Sequence, residues 1–208
     1  MSNKKGSYHH GALKEAIIKE AISLIRTKGF DGFSLRDISK RIQVSHSAPY
    51  RHFKTKQELL AAIATEGFKD LAKQLDDAIS SNPEDMQKLI MSSCLIYYRF
   101  AQRRPNQYQL MFGNIIYKPE DFPELIQESQ KAFGVFQFLF QKFLNERKIK
   151  KNTNPTYLAF YSWSLVHGMI SLMKDNKLGI AFKNKNKRFQ ENLVQEIFAY
   201  YLEGISDK

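Results

Sequence analysis

One cysteine, Cys94, stands among 208 residues, which excludes an internal disulfide and any cluster of thiolate metal ligands. Long hydrophobic runs are missing too. The most apolar window, 157–173, is broken by Ser162, Ser164, His167, Gly168 and Ser171. A bilayer crossing needs about 20 mostly apolar residues, and this window is too short and too polar for one. Met1–Lys5 is not followed by an apolar stretch, so no secretory signal is expected and the chain reads as cytoplasmic, with no membrane partner. There is no glycine-rich phosphate loop, nucleophile elbow, His-Glu-x-x-His helix or Cys/His metal spacing. The paired acids Asp76-Asp77 and Glu120-Asp121 suit a solvated helix surface and a cap. These absences point away from an enzyme, a resident cofactor and a metal centre. Repeats and low-complexity tracts are absent, and the alternation that marks strands is scarce.

Negative charge is also in short supply. There are 32 Lys and Arg against 21 Asp and Glu, a net charge of +11. The excess is uneven. Residues 1–60 carry 12 basic and 5 acidic side chains, whereas the other 148 residues carry 20 and 16. A basic first third on a nearly balanced remainder indicates a polyanion-binding module at the N-terminus. Apolar residues (43%) and charged residues (25%) fall in the range of an ordinary soluble globular protein. Aromatics are plentiful, with 16 Phe and 10 Tyr, and they must be buried or line a cavity.

Apolar residues recur at spacings of three and four, so the fold class is all-α, with about nine helices. The first spans about 11–28, with Leu13, Ile17, Ala21, Leu24 and Ile25 on one stripe and Gly29 as a left-handed stop. Ser34 caps the second, which ends near Ile42, and a short third helix covers about 45–53. A capping box, Thr55-Lys56-Gln57-Glu58, starts the fourth, which runs to about Ile79. Asn82-Pro83-Glu84-Asp85 opens the fifth, stopped by Pro105. The sixth covers about 106–112 and the seventh runs from Asp121 or Phe122 to about Lys148. Asn154-Pro155 begins the eighth, and the ninth runs from near Asn184 to Gly204. The basic stretches Arg147–Lys151 and Lys183–Arg188 read as solvated turns.

Gln43-Val44-Ser45 is a turn short enough to cross the second and third helices steeply. This is helix-turn-helix geometry, in which the second helix of the pair enters the major groove. Leu35, Ile38, Ile42, Val44, Ala48 and Phe53 would hold the pair against the first helix. His46 with Tyr50, and Ser47 with Arg51, are spaced four apart and share an outward face. Each can hydrogen bond to a base edge or a phosphate. Pro49 falls in the first turn of this helix, where few amides have an acceptor to lose. Lys56, at the start of the fourth helix, suits a phosphate.

The stretch FSLRDISKRIQVSHSAPYRHFKTKQELLAAI, Phe33–Ile63, closely resembles the DNA-binding domain of the tetracycline-repressor (TetR/AcrR) family. The order of a Ser-initiated helix, a Val-Ser turn, Tyr-x-His-Phe and Lys-x-x-Leu carries the likeness, which extends over about 11–68. The resemblance implies phosphate roles for Tyr50, His52 and Lys56, helix-start contacts for Ser34 and Ser45, and base reading by His46, Ser47 and Arg51. Pro49 departs from the family pattern, where Leu, Val or Ile is usual. The segment GSYHHGAL looks like the arm that precedes the first helix in one branch. His9 and His10 lack spaced carboxylate or thiolate partners, so an arm on the DNA backbone is favoured over a metal site, with plain disorder of the segment as the alternative to contact.

The seventh and eighth helices are apolar nearly all round, so they must be buried on several sides: a core, a partner subunit or a cavity. The ninth has two apolar faces, Phe189/Leu193/Ile197/Tyr200/Tyr201 and Val194/Phe198/Leu202, which suit a core contact and a two-fold dimer seam. WSLVHGMISL resembles the Trp-x-x-x-His-Gly motif of one C-terminal domain type in the family, through Trp163, His167 and Gly168. RRPNQYQLMFG, Arg103–Gly113, is similar to the sixth helix of the same branch. His167 reads either as a ligand contact or as a satisfied core or interface histidine, with Gly168 allowing close helix approach.

The expected organisation is a helix-turn-helix domain at 1–60, with an arm at 1–10, joined through the fourth helix to a helical-bundle effector-binding and dimerisation domain at 61–208. The expected partners are a double-stranded DNA operator, a second copy of the chain and a small-molecule effector. Tyr97, Phe100, Met111, Phe112, Phe136, Phe140, Trp163 and Ile170 are candidates to line an apolar pocket, with Tyr97 and His167 as its polar handles. The function that follows is a homodimeric repressor released by its effector. The alternative is a dimeric regulator without an effector, whose aromatic-rich domain is only a core.

Overall fold

A computed structural model describes residues 5–81, 85–146, 154–174, 182 and 186–205. Among the described residues eight α-helices follow one another: α1 Lys5–Lys28, α2 Leu35–Arg41, α3 Lys56–Ser80, α4 Met86–Arg103, α5 Pro105–Phe112, α6 Pro123–Glu146, α7 Pro155–Lys174 and α8 Lys187–Ile205. Two 3₁₀ turns, Pro49–Arg51 and Pro119–Asp121, complete the order, with no strand among the described residues. The all-α class is as the sequence implies. The expected third helix is a 3₁₀ turn instead.

Local capping explains most of the starts. Ser34, at φ −128° and ψ 166°, accepts from the Asp37 amide, while the Asp37 carboxylate accepts from the Ser34 amide at 2.8 Å. The Ser34 hydroxyl also donates to that carboxylate and holds its pKa below the usual value. Thr55 Oγ1 accepts from the Glu58 amide at 3.1 Å. The returning carboxylate of Glu58 takes the Lys54 amide, at 2.6 Å, one residue before the expected partner. Asn154 and Asn186 cap α7 and α8 through the amides of Thr156 and Phe189. α4 begins at Met86 on an Asp85 cap. Asn82 and Pro83, expected at that start, lie outside the described residues, as do Arg147–Lys151 and residues 183–185.

α1 begins at Lys5, not near Gly11. A glycine inside a helix costs about 1 kcal/mol relative to Ala, too little to end it where no proline intervenes. The side chains of His9 and His10 lie outside the described residues.

The chain packs into two compact units. Residues up to Phe68 form the first together with Arg104–Glu128; Lys69–Arg103 and the residues from Ser129 form the second. In the first unit, Ile17, Ala21, Leu24 and Ile25 of α1 bury against Leu35 and Ile38 of α2, with Phe53, Leu59 and Ile63. α5 joins this core although it lies some forty residues further along the chain. Gln107, buried, donates through Nε2 to the Ile63 carbonyl at 2.8 Å. Gln57 donates to the Ile115 carbonyl and accepts from the Tyr117 amide, at 3.2 and 3.0 Å. In the second unit, α4, α7 and α8 pack on one another around Cys94, Tyr97, Tyr98, Val166, Val194 and Phe198, with Phe136, Phe140 and Phe143 of α6. Burial raises the Cys94 thiol pKa well above its ordinary value, so the sulfur stays a protonated apolar group.

α3 and α5 approach closely at Gly67. A Cβ there would stand 2.5 Å from Met111 Sδ and 2.9 Å from Gln107 Cγ. The Met111 tip can move, but Gln107 is fixed by its bond to Ile63. Gly67→Val is therefore expected to destabilise the protein by about 1–3 kcal/mol through overpacking, read as a lower urea midpoint with an unchanged slope.

Candidate functional site

The second half of the helix-turn-helix is shaped by Pro49. Proline has no amide to give to the Ser45 carbonyl, so Ala48 bonds to Ser45 instead, at 3.0 Å. The i→i+3 pattern continues from Arg51 to Ala48 and from His52 to Pro49. Turn and 3₁₀ backbone replace the α-helix expected over 45–53, so the spacing-of-four pairs His46/Tyr50 and Ser47/Arg51 do not stand on an α-helical face. Proline itself is buried here, as is Phe53.

Even so, the segment presents Ser45, His46, Ser47, Tyr50 and Arg51 as exposed side chains, with His52 half-buried. Ser45 and Ser47 hydroxyls lie 3.3 Å apart. Ser34 is exposed at the α2 start, its hydroxyl held in the cap. Lys56, the first residue of α3, sits with Nζ 4.5 Å from the centre of the buried Phe33 ring. That cation–π contact fixes where the ammonium stands at the helix N-terminus, where free amides also attract an anion. Between α2 and this segment, Gln43 adopts φ +56°. The Val44 amide reaches back to the Ser39 carbonyl at 3.0 Å, closing α2 with a Schellman turn. Ser39 is one residue the sequence reading passed over. It is buried, and its Oγ lies 2.8 Å from the Arg36 carbonyl and 3.1 Å from His46 Nδ1. The available signal was a serine on the apolar stripe of α2, between Ile38 and Ile42.

The second unit holds a different cluster. Trp163 Nε1 donates to the Tyr97 hydroxyl at 3.0 Å, and that hydroxyl lies 3.0 Å from His167 Nδ1. Trp163 and His167 stack as tilted rings 5.7 Å apart on α7, as their spacing of four implies. Phe136 meets Tyr97 edge-on at 6.2 Å, and Phe133 and Phe160 flank Trp163. Burial lowers the His167 pKa below its usual 6.5, so the ring is held neutral. Phe100, Phe140 and Ile170 are buried in the same unit.

Met111 and Phe112 stand elsewhere. They belong to the first unit, where Met111 faces Gly67 and Phe112 packs on Phe68 and Tyr108 at 5.3 and 4.9 Å. Two clefts in the second unit are lined by other residues. One, of about 640 Å³, lies between α7 and α8 among Asn154, Tyr157, Leu158, Tyr161, Tyr200, Tyr201, Gly204 and Ile205. The other, of about 440 Å³, runs between the end of α3 and α4 and includes Lys88, Ser92 and Arg99. Arg99 is already paired with Glu191 of α8. Among the described residues, no group of three or more His, Cys, Asp or Glu is placed to hold a metal, and no helix is long and apolar enough to cross a membrane.

Comparison with known proteins accords with both units. Residues 17–63 match the family of bacterial regulatory proteins of the tetR type, and residues 90–196 match the tetracyclin repressor-like C-terminal domain. Over 164 residues the chain is 28% identical to the biofilm operon icaADBC HTH-type negative transcriptional regulator IcaR of Staphylococcus aureus (strain Newman), covering 74% of this chain and 83% of that protein. Among solved structures, a Rhodococcus sp. RHA1 protein of unknown function superposes with a TM-score of 0.82 at 24% identity, over 96% of this chain and 98% of its own. The TetR family transcriptional regulator PfmR of Thermus thermophilus gives 0.67 at 18% identity, over 92% and 99%. These two structures speak for the fold. The two family matches together take in the helix-turn-helix and most of the second unit, and the chain belongs to the tetracycline-repressor family of helix-turn-helix, DNA-binding transcriptional regulators.

Proposed function

We propose that the protein is a cytoplasmic homodimeric repressor that binds a two-fold operator and releases it when a small molecule enters the second region. The observation that carries the DNA part is the exposed row Ser45, His46, Ser47, Tyr50 and Arg51 beside the anchored Lys56. Residues 1–60 then read DNA, and residues 61–208 pair and sense. Tyr50, His52 and Lys56 hold phosphates, Ser34 and Ser45 position helix starts, and His46, Ser47 and Arg51 meet base edges. Repression as the sense of control follows the relative IcaR, a negative regulator.

Dimerisation is supported by the outer face of α7. Tyr157, Tyr161, Ser164, Gly168, Ser171 and Leu172 recur at three and four and carry no charge. Tyr157 is 74% exposed and Tyr200 of α8 is 70% exposed, large aromatic surfaces for an unpaired helix. A Cβ on Gly168 would meet nothing within 4 Å, so the room left by this glycine is open to a partner helix. This face matches a second copy related by a two-fold axis.

The sensing part rests on the Trp163–Tyr97–His167 chain, which fits the Trp-x-x-x-His-Gly branch of the family. An indole N–H can only donate, so Tyr97 accepts from Trp163 and has its own proton for the neutral His167 Nδ1. His167 then carries its proton on Nε2. With Phe100, Phe136, Phe140 and Ile170 in the same unit, this favours an apolar, aromatic or weakly acidic effector. A second reading has its own support: Phe140 is fully buried and Phe100, Phe136 and Ile170 nearly so, as in a core that serves dimerisation alone.

Three outcomes test this function. Lys56→Ala should weaken binding to all DNA alike and lower the salt slope by about one unit, whereas Arg51→Ala should also relax base preference; identical selected sequences for wild type and Arg51→Ala would make Arg51 a phosphate contact. The double variant Tyr161→Asp/Tyr200→Asp should be monomeric by light scattering and lose operator affinity by about a hundredfold, the contribution of a linked second half-site. Compounds from an apolar and weakly acidic set that raise the melting temperature should release the operator, and Trp163→Phe should blunt that release with operator affinity kept. A set that leaves the operator bound throughout would favour the reading without an effector.

A further inference from the structure

Among the described residues, Ser39 is the buried hydroxyl in contact with the DNA-reading segment. It lies on α2, with no exposed surface, next to Ile38 of the core. Its backbone carbonyl takes the Val44 amide that closes the turn. The hydroxyl, meanwhile, faces two atoms at once: the Arg36 carbonyl oxygen at 2.8 Å and His46 Nδ1 at 3.1 Å. A hydroxyl has one proton to give. Were that proton given to His46, Ser39 Oγ and the Arg36 oxygen would oppose lone pairs at hydrogen-bond distance in a buried site. Both contacts are satisfied by one arrangement only, in which Ser39 donates to Arg36 and accepts from a protonated Nδ1 of His46. A neutral imidazole with its proton on Nδ1 carries a lone pair on Nε2. His46 is exposed, and with Nδ1 turned toward α2 the opposite ring nitrogen is the one left for a ligand.

We propose that Ser39 is a positioning residue that fixes the tautomer of His46, and thereby makes His46 select an amino base, adenine or cytosine, on the operator strand it reaches. In the major groove, adenine N6 and cytosine N4 are donors, whereas guanine and thymine offer acceptors at the matching edge. An Nε2 lone pair accepts from the first two and repels the O6 or O4 of the last two; an Nε2–H would instead seek an acceptor, guanine O6 or N7, thymine O4 or adenine N7. The specificity of this position is thus set from inside α2, by a residue that never touches DNA. This inference rests on the assignment of His46 as a base reader.

Two measurements on the full-length protein test it. The first is long-range proton–nitrogen NMR of the ¹⁵N-histidine-labelled protein at alkaline pH, where the rings are neutral. His46 is expected in the Nδ1–H form, with Nε2 at the shift of an unprotonated nitrogen, and in Ser39→Ala it should move toward the Nε2–H form. Alanine keeps the small volume and suits a helix, so the α2 backbone is retained; the wild-type spectrum decides the tautomer even if this variant fails to fold. The second is selection of binding sites from a randomised duplex library. Wild type should choose A or C at one position of each half-site, and His46→Ala should lose that choice. Ser39→Ala should reduce it about fivefold or more, with the other positions and the salt slope unchanged. Identical selected sites for wild type and His46→Ala would remove His46 from base reading altogether. A His46-dependent position that prefers G or T, survives Ser39→Ala, or accompanies an Nε2–H ring in the wild-type spectrum would overturn the role of Ser39 alone.

Discussion

The approach of α5 to α3 at Gly67 is the constraint on which the first unit depends. Position 67 has no room for a side chain, and two glutamines supply directional bonds earlier along α3. Gln107 of α5 is anchored on the Ile63 carbonyl, and Gln57 of α3 grips the backbone at Ile115 and Tyr117. These bonds lie at 57 and 63 along α3, so they fix which face of that helix meets residues 107–117. Lys56 stands one residue before the first of them, over the ring of Phe33. The start of α3, where that ammonium stands, is therefore held by a segment more than fifty residues away. A shift in α5 would be felt at the start of α3 through polar contacts that are either made or broken, since a buried amide left without its partner costs about 1–3 kcal/mol.

A second constraint is the backbone of residues 43–53. Gln43 at φ +56° is in the left-handed region, which costs a non-glycine residue about 1–2 kcal/mol. The Schellman bond from Val44 to Ser39 offsets part of that cost and directs the chain toward Pro49. Proline then removes the amide that an α-helix would use, and the chain tightens into a 3₁₀ turn. Pro49 at the start of this turn and Phe53 just after it are buried, so Tyr50 and Arg51 are exposed between two buried anchors. The departure from the family pattern at position 49 thus changes the local helix type while leaving the same side chains exposed.

Much of the fold was legible because the signals that begin helices are local. Ser34, Thr55 and Asn154 each act within three residues of where they stand, and each marks a real start. The spacing of Trp163 and His167 likewise placed them on one face, and their shared partner Tyr97 was among the residues nominated beside them. The membership of α5 in the first unit was not legible, because it depends on Gln107 meeting a carbonyl 44 residues earlier in the chain. No periodicity records such a pairing. The start of α1 at Lys5 was missed because Gly11 looks like a boundary while costing too little to be one. Ser39 was missed for a different reason. A polar residue on an apolar stripe announces that it has a partner, but its identity, His46, lies across a turn whose shape the sequence did not disclose.

Charge placement on α7 and α8 bears on how two copies could meet. A two-fold axis brings the residues beside it against their own copies, so a charged side chain there would oppose an identical charge. α7 avoids this along its whole outer stripe, where tyrosines, serines, Gly168 and Leu172 follow one another without a single acid or base. α8 does not, for Glu196 and Glu203 are exposed along it together with Tyr200. The uncharged stripe of α7 therefore suits the axis of the proposed dimer, and the acids of α8 suit its wet rim, where like charges are screened over about 8 Å at physiological salt.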